Sequence, residues 1–207
     1  MQDYSTNKEL PFSEPVRSEI HEGKIYYMAG TSTDHNFAST NILAIFKTFL
    51  KGKKCQVFGE NVDVTFKRNF RRFMPDVKIV CDPDKIKKDG IYGAPDLIVE
   101  VISKSTAKND KDYKFKIYEL YGVKEYWIID INNKSIEVYF LKENKFELDN
   151  IYYHFSDEEI KEIEEAEEEY ATADIKAEKE LIKIKSFKTS VFGDDLIISI
   201  ADVFENI

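Results

Sequence analysis

Residues 97 to 102 form an apolar run with one charged residue inside it, Glu100. A continuous run of Leu, Ile and Val of this length is typical of a strand that is buried on both faces. An unpaired carboxylate in such a strand would cost several kcal/mol, so Glu100 needs a partner. We interpret that partner as a bound divalent cation, and a structural ion pair is the alternative.

A second acid, Asp76, follows Met74-Pro75 and precedes the apolar residues 77 to 80. An aspartate after a proline is by itself typical of a turn or a strand start. Residues 81 to 92, which are rich in Asp, Lys and Pro, indicate a loop that returns the chain beside its previous strand. We therefore predict that Asp76 and Glu100 meet on neighbouring strands as a metal-binding pair.

Asp96 is a poorer ligand candidate than Asp76. It precedes Glu100 by four residues on one extended strand, which separates their Cα atoms by roughly 13 Å. These two acids are too far apart to share one ion. We predict that Asp96 anchors the entrance of the strand instead.

Residues 109 to 121 predict a helix that ends at Gly122. One face of this helix carries Lys114 in line with Ile117, Tyr118 and Tyr121. A lysine in an apolar stripe can supply the positive charge that phosphate chemistry needs. The alternative is that Lys114 extends its amine from the edge of a buried face into solvent.

These residues resemble the Uma-type restriction-endonuclease-like proteins, a bacterial branch of the PD-(D/E)XK nuclease superfamily. The resemblance covers about residues 12 to 141, with weaker agreement near 187 to 204. It rests on the following segments: Ser18 to Tyr26, Met74-Pro75-Asp76, Ala94 to Ser103, and Lys114 to Asp130.

The resemblance implies a metal-dependent phosphodiesterase site that acts on DNA, within a homodimer. Asp76 and Glu100 would bind Mg²⁺, with Mn²⁺ as a possible substitute, and Glu19 would be an additional acid or merely the partner of a nearby basic residue. The superfamily usually places its lysine two residues after the second acid, where this chain has Ile102. Lys114 would then be that lysine, relocated onto the helix.

We expect residues 1 to 207 to form one α/β domain, with a restriction-endonuclease-like mixed sheet flanked by helices. An N-terminal helix should precede the sheet. Ser103, Ser105 and Thr106 should cap the helix after the central strand, and bonding to a phosphate is the alternative. Asp34 or Thr33 should cap an earlier helix, where we expect the His35 ring to bond locally, and proximity of His35 to the site is the alternative. The remaining predictions are strands at 24 to 28, 56 to 66, 126 to 131, 136 to 141 and 145 to 148, a helix at 36 to 50, and a strand and helical turn within 197 to 204.

The acidic charge is concentrated in one segment. Residues 157 to 170 carry a net charge of −8 out of the −9 of the whole chain. We predict that residues 156 to 184 form a solvated, acidic helical insertion. The alternative is an autoinhibitory or partner-binding arm that mimics the charge of nucleic acid. Two basic clusters lie elsewhere and indicate a solvated surface or a path for phosphates: Lys51, Lys53 and Lys54, and Lys67, Arg68, Arg71 and Arg72.

Cys55 and Cys81 lack metal-ligand spacing, and we expect them to be free thiols in the cytoplasm. The sequence has no long apolar run that would cross a membrane and no N-terminal pattern typical of a signal peptide. A catalytically silent binding or interaction module on the same scaffold is the alternative to a nuclease. The isoleucine at position 102 and the acidic composition favour that alternative.

Overall fold

The computed structural model describes residues 17–28, 30–102, 109–170 and 172–207. They form a mixed α/β structure in which sheets are flanked by helices, as the sequence predicts. None of the helices within these ranges is long and apolar enough to cross a membrane.

The first sheet combines the N-terminal hairpin with four later strands, of which β5 pairs with β1. Its described strands run in the order β2-β1-β5-β4-β8-β7. These strands are β1 Ser18–His21, β2 Lys24–Tyr27, β4 Val64–Lys67, β5 Arg71–Phe73, β7 Ile86–Lys87 and β8 Gly90–Tyr92. The predicted N-terminal helix falls mainly outside the described residues, and Glu19 lies on β1.

The second sheet contains the strands that carry Asp76 and Glu100. Its described strands run in the order β12-β11-β10-β9-β6-β3, with β9 and β10 parallel and the other pairs antiparallel. These strands are β3 Gln56–Gly59, β6 Val77–Val80, β9 Leu97–Ile102, β10 Glu125–Asp130, β11 Ser135–Lys142 and β12 Lys145–Tyr153.

Two apolar cores cover the two faces of the second sheet. The helix α1 (Thr33–Phe49) packs Ile42 and Phe46 into one core with Val77 and Val99. The helix α2 (Phe115–Tyr121) packs Tyr118 into the other, with Ile98 of β9 and Phe73 of the first sheet. Alternate residues of β6 and β9 therefore face opposite cores, which places Glu100 on the α2 side.

The single strand predicted at residues 56 to 66 is wrong. The chain forms β3 in the second sheet, leaves it at Gly59, and re-enters as β4 in the first sheet. The alternating pattern continues through the crossing, so periodicity alone does not reveal the change of sheet.

The two predicted helices around the site are present, and the first begins three residues earlier than predicted. Helix α1 begins at Thr33, and its cap is Ser32 rather than Asp34 or Thr33, because the Ser32 side chain accepts a hydrogen bond from His35 N. The second helix begins as a π-helix, Asn109–Lys114, continues as α2 and ends at Gly122 in the left-handed conformation, as predicted. Ser103, Ser105 and Thr106 lie outside the described residues.

The acidic segment folds into the helices α3 (Asp157–Tyr170) and α4 (Ala173–Ile182). The hairpin of β13 (Ser186–Thr189) and β14 (Gly193–Ser199) follows, and then the short helix α5 (Ile200–Val203). Phe187 and Ile198 of the hairpin pack into the core on the α1 side. The C-terminal strand and helical turn are therefore present as expected.

Cys55 and Cys81 form a disulfide rather than the predicted free thiols. The antiparallel pairing of β3 with β6 sets Gln56 opposite Val80, so the cysteines occupy the next opposed positions beyond the ladder. A sequence separation of 26 residues does not disclose this proximity, because it depends on the strand pairing.

Candidate active site

Asp76 and Glu100 lie side by side on neighbouring strands. Strand β6 pairs antiparallel with β9, and Val77 lies opposite Val99, so Asp76 immediately before β6 faces Glu100. Opposed residues of antiparallel strands project from the same face with Cβ atoms about 5 Å apart. Asp76 Oδ2 also accepts a hydrogen bond of 2.7 Å from Val101 N. This bond fixes the carboxylate against β9.

Lys114 is surrounded by three carboxylates. Its Nζ lies 3.0 Å from Glu100 Oε1 and 3.1 Å from Glu19 Oε1. It lies 3.2 Å from Asp110 Oδ1, one helical turn earlier. All four side chains are buried, so the ammonium and its partners form one enclosed network.

The helix after β9 carries three residues of this network: Asp110, Lys114 and Tyr118. Asp110 and Lys114 lie in the π-helix and reach back toward the sheet. One turn further, the Tyr118 hydroxyl donates a hydrogen bond of 2.6 Å to Glu100 Oε1. Glu100 Oε1 thus accepts hydrogen bonds from a lysine and a tyrosine on consecutive helical turns.

Glu19 connects the first sheet to this network. Its Oε1 accepts a hydrogen bond of 3.0 Å from Met74 N, and its Oε2 lies 2.8 Å from His21 Nε2. Burial is the largest influence and raises the pKa of Glu19, but Lys114 and these hydrogen bonds together outweigh it and lower the pKa to about 2. Glu19 is therefore a charged structural partner of Lys114.

The cluster carries excess negative charge. Four buried carboxylates (Glu19, Asp76, Glu100 and Asp110) face two buried lysines, Lys114 and Lys78. Burial, with the neighbouring carboxylates, raises the pKa of Glu100 well above its usual range despite the opposing effect of Lys114. Burial lowers the pKa of Lys114, but Glu100, Glu19 and Asp110 outweigh it and raise that pKa well above the usual value. If all six of these groups are ionised, their net charge is −2, and a proton on Glu100 reduces it to −1.

Lys78 is a residue of the cluster that the sequence reasoning missed. It lies on β6 two residues after Asp76, on the same face, and is fully buried. Its Nζ donates to Gly59 O at 2.7 Å and to Pro75 O at 2.9 Å. Burial lowers its pKa to about 7, with Glu100 and Asp76 opposing that effect.

The prediction of a local role for the His35 ring is wrong. The first turn of α1 lies over the start of β6, and His35 Nε2 is 3.3 Å from Asp76 Oδ2. Burial lowers the pKa of His35, but the hydrogen bond and the charge of Asp76 outweigh it and raise that pKa. Only the backbone N–H of His35 takes part in the helix cap.

A cavity of about 300 Å³ opens beside Asp76. Its lining includes Asn36 and Ser39 of α1 together with Glu60 and Asn61 beyond β3. Glu100 and Lys114 are not among the residues that line it. A ligand in this cavity would therefore meet Asp76 first, with Glu100 behind it.

Two further acids lie outside the network. Asp96 accepts a hydrogen bond of 2.7 Å from Cys81 N and pairs with Lys124, as expected for an anchor of the strand entrance. Asp63 pairs with Arg72 Nη1 at 3.3 Å. Ile102, at the usual lysine position, is buried in the core beside α2.

The donor set suits a cation that retains water. Within the described residues, no group of three or more His, Cys, Asp and Glu side chains is arranged to hold a metal ion. Asp76 and Glu100 are paired carboxylates, and among the described contacts both partners of Asp76 use Oδ2, leaving Oδ1 for a ligand. Mg²⁺ is commonly bound by one or two carboxylates plus waters, so the residues fit this ion.

Asp110 is the missed residue with the clearest signal in the sequence. It precedes Lys114 by four residues, the spacing at which helical side chains meet. Lys78 alternates with the apolar residues of β6, and this pattern also fits a solvent-facing lysine. His35 meets Asp76 through the packing of α1 on the sheet, which no local pattern indicates.

The mixed α/β fold, with its sheets flanked by helices, is of the restriction-endonuclease-like class. The chain belongs to the Uma2 family, described as "Putative restriction endonuclease", whose family model matches residues 4–173. The family resemblance drawn from the sequence motifs is confirmed.

Two curated relatives come from Synechocystis sp. strain PCC 6803. "Uncharacterized protein slr1290" is 28% identical over 124 residues, which are 59% of this chain and 65% of that protein. "Uncharacterized protein sll1609" is 28% identical over 117 residues, or 55% of this chain and 66% of that protein. The chain thus matches slightly less than two thirds of the length of each relative.

A solved structure shares the fold. It is the crystal structure of a "putative nuclease belonging to DUF820" from Anabaena variabilis, and it aligns with a TM-score of 0.63 at 17% identity. The alignment covers 90% of this chain and 89% of that one.

Proposed function

We propose that the protein is a metal-dependent nuclease that hydrolyses DNA phosphodiester bonds. The observation that carries this proposal is the opposition of Asp76 and Glu100 on neighbouring strands, beside a cavity that Asp76 lines. The family description "Putative restriction endonuclease" and the description of the Anabaena protein as a "putative nuclease" support the same class of activity.

Asp76 and Glu100 would hold Mg²⁺, with Mn²⁺ as a substitute. When bound, the ion would supply Lewis acidity to a phosphate oxygen and lower the pKa of a water molecule. His35 and Val101 N would orient Asp76 through its Oδ2. Asn36, Ser39 and Asn61 would offer hydrogen bonds to the nucleotide within the cavity.

Lys114 would act first as a positioning residue. Its three N–H donors face three carboxylates, so the amine holds Glu100 and Glu19 in place. The role in positioning water or stabilising charge on the phosphate, which the family resemblance implies, remains a prediction. That role requires one carboxylate to release the amine.

The test pairs plasmid nicking in Mg²⁺ and Mn²⁺ with calorimetric metal titration. Asp76→Asn should abolish nicking and weaken metal binding, while retaining an acceptor for Val101 N. Asp96→Asn is a matched control, because Asp76 and Asp96 are each 6% exposed and each accept a backbone hydrogen bond of 2.7 Å. The control should fold and nick like the wild type. Equal nicking by Asp76→Asn would contradict the proposal.

The metal titration should also depend on pH. The pKa of Glu100 is raised, so below that pKa a cation must displace a proton from the carboxyl group. Metal affinity should therefore increase with pH, and the measured heat should vary with the ionisation enthalpy of the buffer. Glu100→Gln should remove both dependences.

The second candidate is a catalytically silent binding module. The saturation of Lys114 by three carboxylates favours it, because such an amine is not directed at a ligand. This candidate requires that neither Mg²⁺ nor Mn²⁺ binds at millimolar concentration. Nicking that persists in Asp76→Asn and Glu100→Gln would then be attributable to contamination.

A further inference from the structure

The N-terminal hairpin exposes two adjacent tyrosines at the edge of the first sheet. Strand β2 is the terminal strand of that sheet in the described chain, and all four of its residues are exposed. Tyr26 is 50% exposed and Tyr27 is 73% exposed. Large side chains exposed together at a sheet edge commonly mark a binding surface.

The strand register places only one of these tyrosines on the side of the candidate active site. Tyr26 lies opposite Glu19, whereas Tyr27 lies opposite Ser18. Opposed residues share a face and successive residues alternate. Tyr26 therefore projects from the face that carries Glu19, and Tyr27 projects from the other. His21 and Lys24, a further opposed pair, share the face of Tyr26.

A row of aromatic rings connects Tyr26 to the buried network. The rings of Tyr26 and His21 are stacked with centroids 4.6 Å apart, and those of His21 and Tyr113 with centroids 4.9 Å apart. His21 Nε2 also contacts Glu19, which pairs with Lys114. The position of Tyr26 is thus supported by groups that reach the site.

Basic residues lie on the same hairpin and on the neighbouring one, and the acid in the hairpin turn, Glu22, is paired with Arg71. Lys24 is exposed on the same face as Tyr26. The hairpin turn contacts the turn between β4 and β5, where Gly23 N donates to Phe70 O at 3.0 Å. Lys67 at the end of β4 and Arg68 in that second turn are both exposed. An aromatic ring among basic side chains suits a base and its flanking phosphates.

We propose that Tyr26 and Lys24 form a subsite for an unpaired nucleobase of the nucleic-acid strand that enters the active site. The inference rests on the proposed nuclease function and extends it to the form of the substrate. Tyr26 would stack on the face of the base, and Lys24 would contact an adjacent phosphate. A base within a duplex has both faces covered, so this subsite selects a strand end or a single-stranded segment.

Fluorescence anisotropy tests the subsite with a labelled single-stranded oligonucleotide and the same oligonucleotide carrying one abasic position, both in Ca²⁺. Tyr26→Ala should weaken binding of the intact strand about tenfold, since the base loses the aromatic ring on which it stacks. Tyr26→Phe should bind like the wild type. Tyr27→Ala is the matched control and should leave affinity unchanged. Scanning the abasic position should find one at which Tyr26→Ala has no further effect.

The contribution of Lys24 is measured by repeating the anisotropy titrations of the oligonucleotide at several salt concentrations. Lys24→Ala should reduce the slope of log affinity against log salt by about 1. Equal losses in Tyr26→Ala and Tyr27→Ala, or no loss in either, would overturn the proposal. The proposal would also be overturned if both variants sedimented as a smaller species than the wild type. The exposed strand would then be a contact between two copies of the chain.

Failure of the subsite is distinguishable from failure of the nuclease function. If the wild type nicks DNA and Asp76→Asn does not, but Tyr26→Ala binds normally, only the subsite is wrong. If the wild type neither binds the oligonucleotide nor nicks a plasmid, both proposals are wrong.

Discussion

Two ion pairs of the same helical spacing have opposite surroundings in this protein. Asp110 and Lys114 are 3.2 Å apart with side chains 4% and 6% exposed. Lys161 and Glu165, on α3, are 3.6 Å apart with side chains 75% and 68% exposed. The four-residue spacing makes both contacts possible, and burial decides how much each contributes to the stability of the fold.

The buried pair cannot be treated as an isolated contact. Lys114 also compensates Glu19 and Glu100, so its removal leaves several carboxylates in a medium that solvates them poorly. Water replaces either partner of the exposed pair at little cost. Buried charge thus makes the candidate site sensitive to single substitutions, while the acidic segment tolerates them.

The largest expected effect follows substitution of Lys114. Lys114→Met should reduce the free energy of unfolding by about 3 to 5 kcal/mol, because it breaks a buried network and leaves its acids uncompensated. Lys161→Met is the matched control, with a loss below about 0.5 kcal/mol. Urea unfolding at neutral pH measures both. Comparable losses in the two variants would refute the role assigned to burial.

A second effect should appear in the pH dependence of stability. The pKa of Glu19 is about 2 in the folded protein against an ordinary value of 4.5, which corresponds to about 3 kcal/mol at neutral pH. A lowered pKa stabilises the fold above pH 4.5, and this contribution is lost as the pH falls from 4.5 toward 2. Glu19→Gln should therefore lose stability at pH 7 and approach the wild type in acid. Urea titrations at several pH values measure this convergence.

Glu158→Gln controls for the general effect of removing an acidic side chain. Glu158 is exposed on α3, and its substitution should change stability little at any pH. A destabilisation by Glu19→Gln that stays constant through the acid range would mean that lost packing, rather than charge, causes it.

The sequence predicted the parts of the site that depend on local pattern. Glu100 interrupts a buried strand, Asp76 begins another, and Lys114 lies on an apolar helix face, so each shows a local mismatch between charge and surroundings. Their roles as metal ligands and catalytic groups remain predictions. His35 matches its local surroundings as a helix-start residue, and only the packing of α1 on β6 reveals its contact with Asp76.

The errors in the fold have a related cause. The strand predicted at 56 to 66 changes sheet at Gly59, and the disulfide joins residues at the end of a strand pair. Both features depend on which strands become neighbours. Hydrophobic alternation indicates which face of a strand is buried, but it does not identify the partner strand.

The smallest expected effect concerns an ion pair with one buried and one exposed partner. Lys124 Nζ lies 2.7 Å from Asp96 Oδ1, with side chains 68% and 7% exposed. Lys124→Met should reduce the free energy of unfolding by about 1 kcal/mol at low ionic strength. The loss is small because Asp96 keeps its hydrogen bond from Cys81 N and water can occupy the place of the lysine amine. Salt screens an exposed ammonium, so this cost should shrink between about 50 mM and about 1 M NaCl. Urea unfolding at both concentrations measures it, and the cost of Lys114→Met should not change with salt. If the cost of Lys124→Met were equally insensitive to salt, burial of one partner would be enough to protect an ion pair from screening.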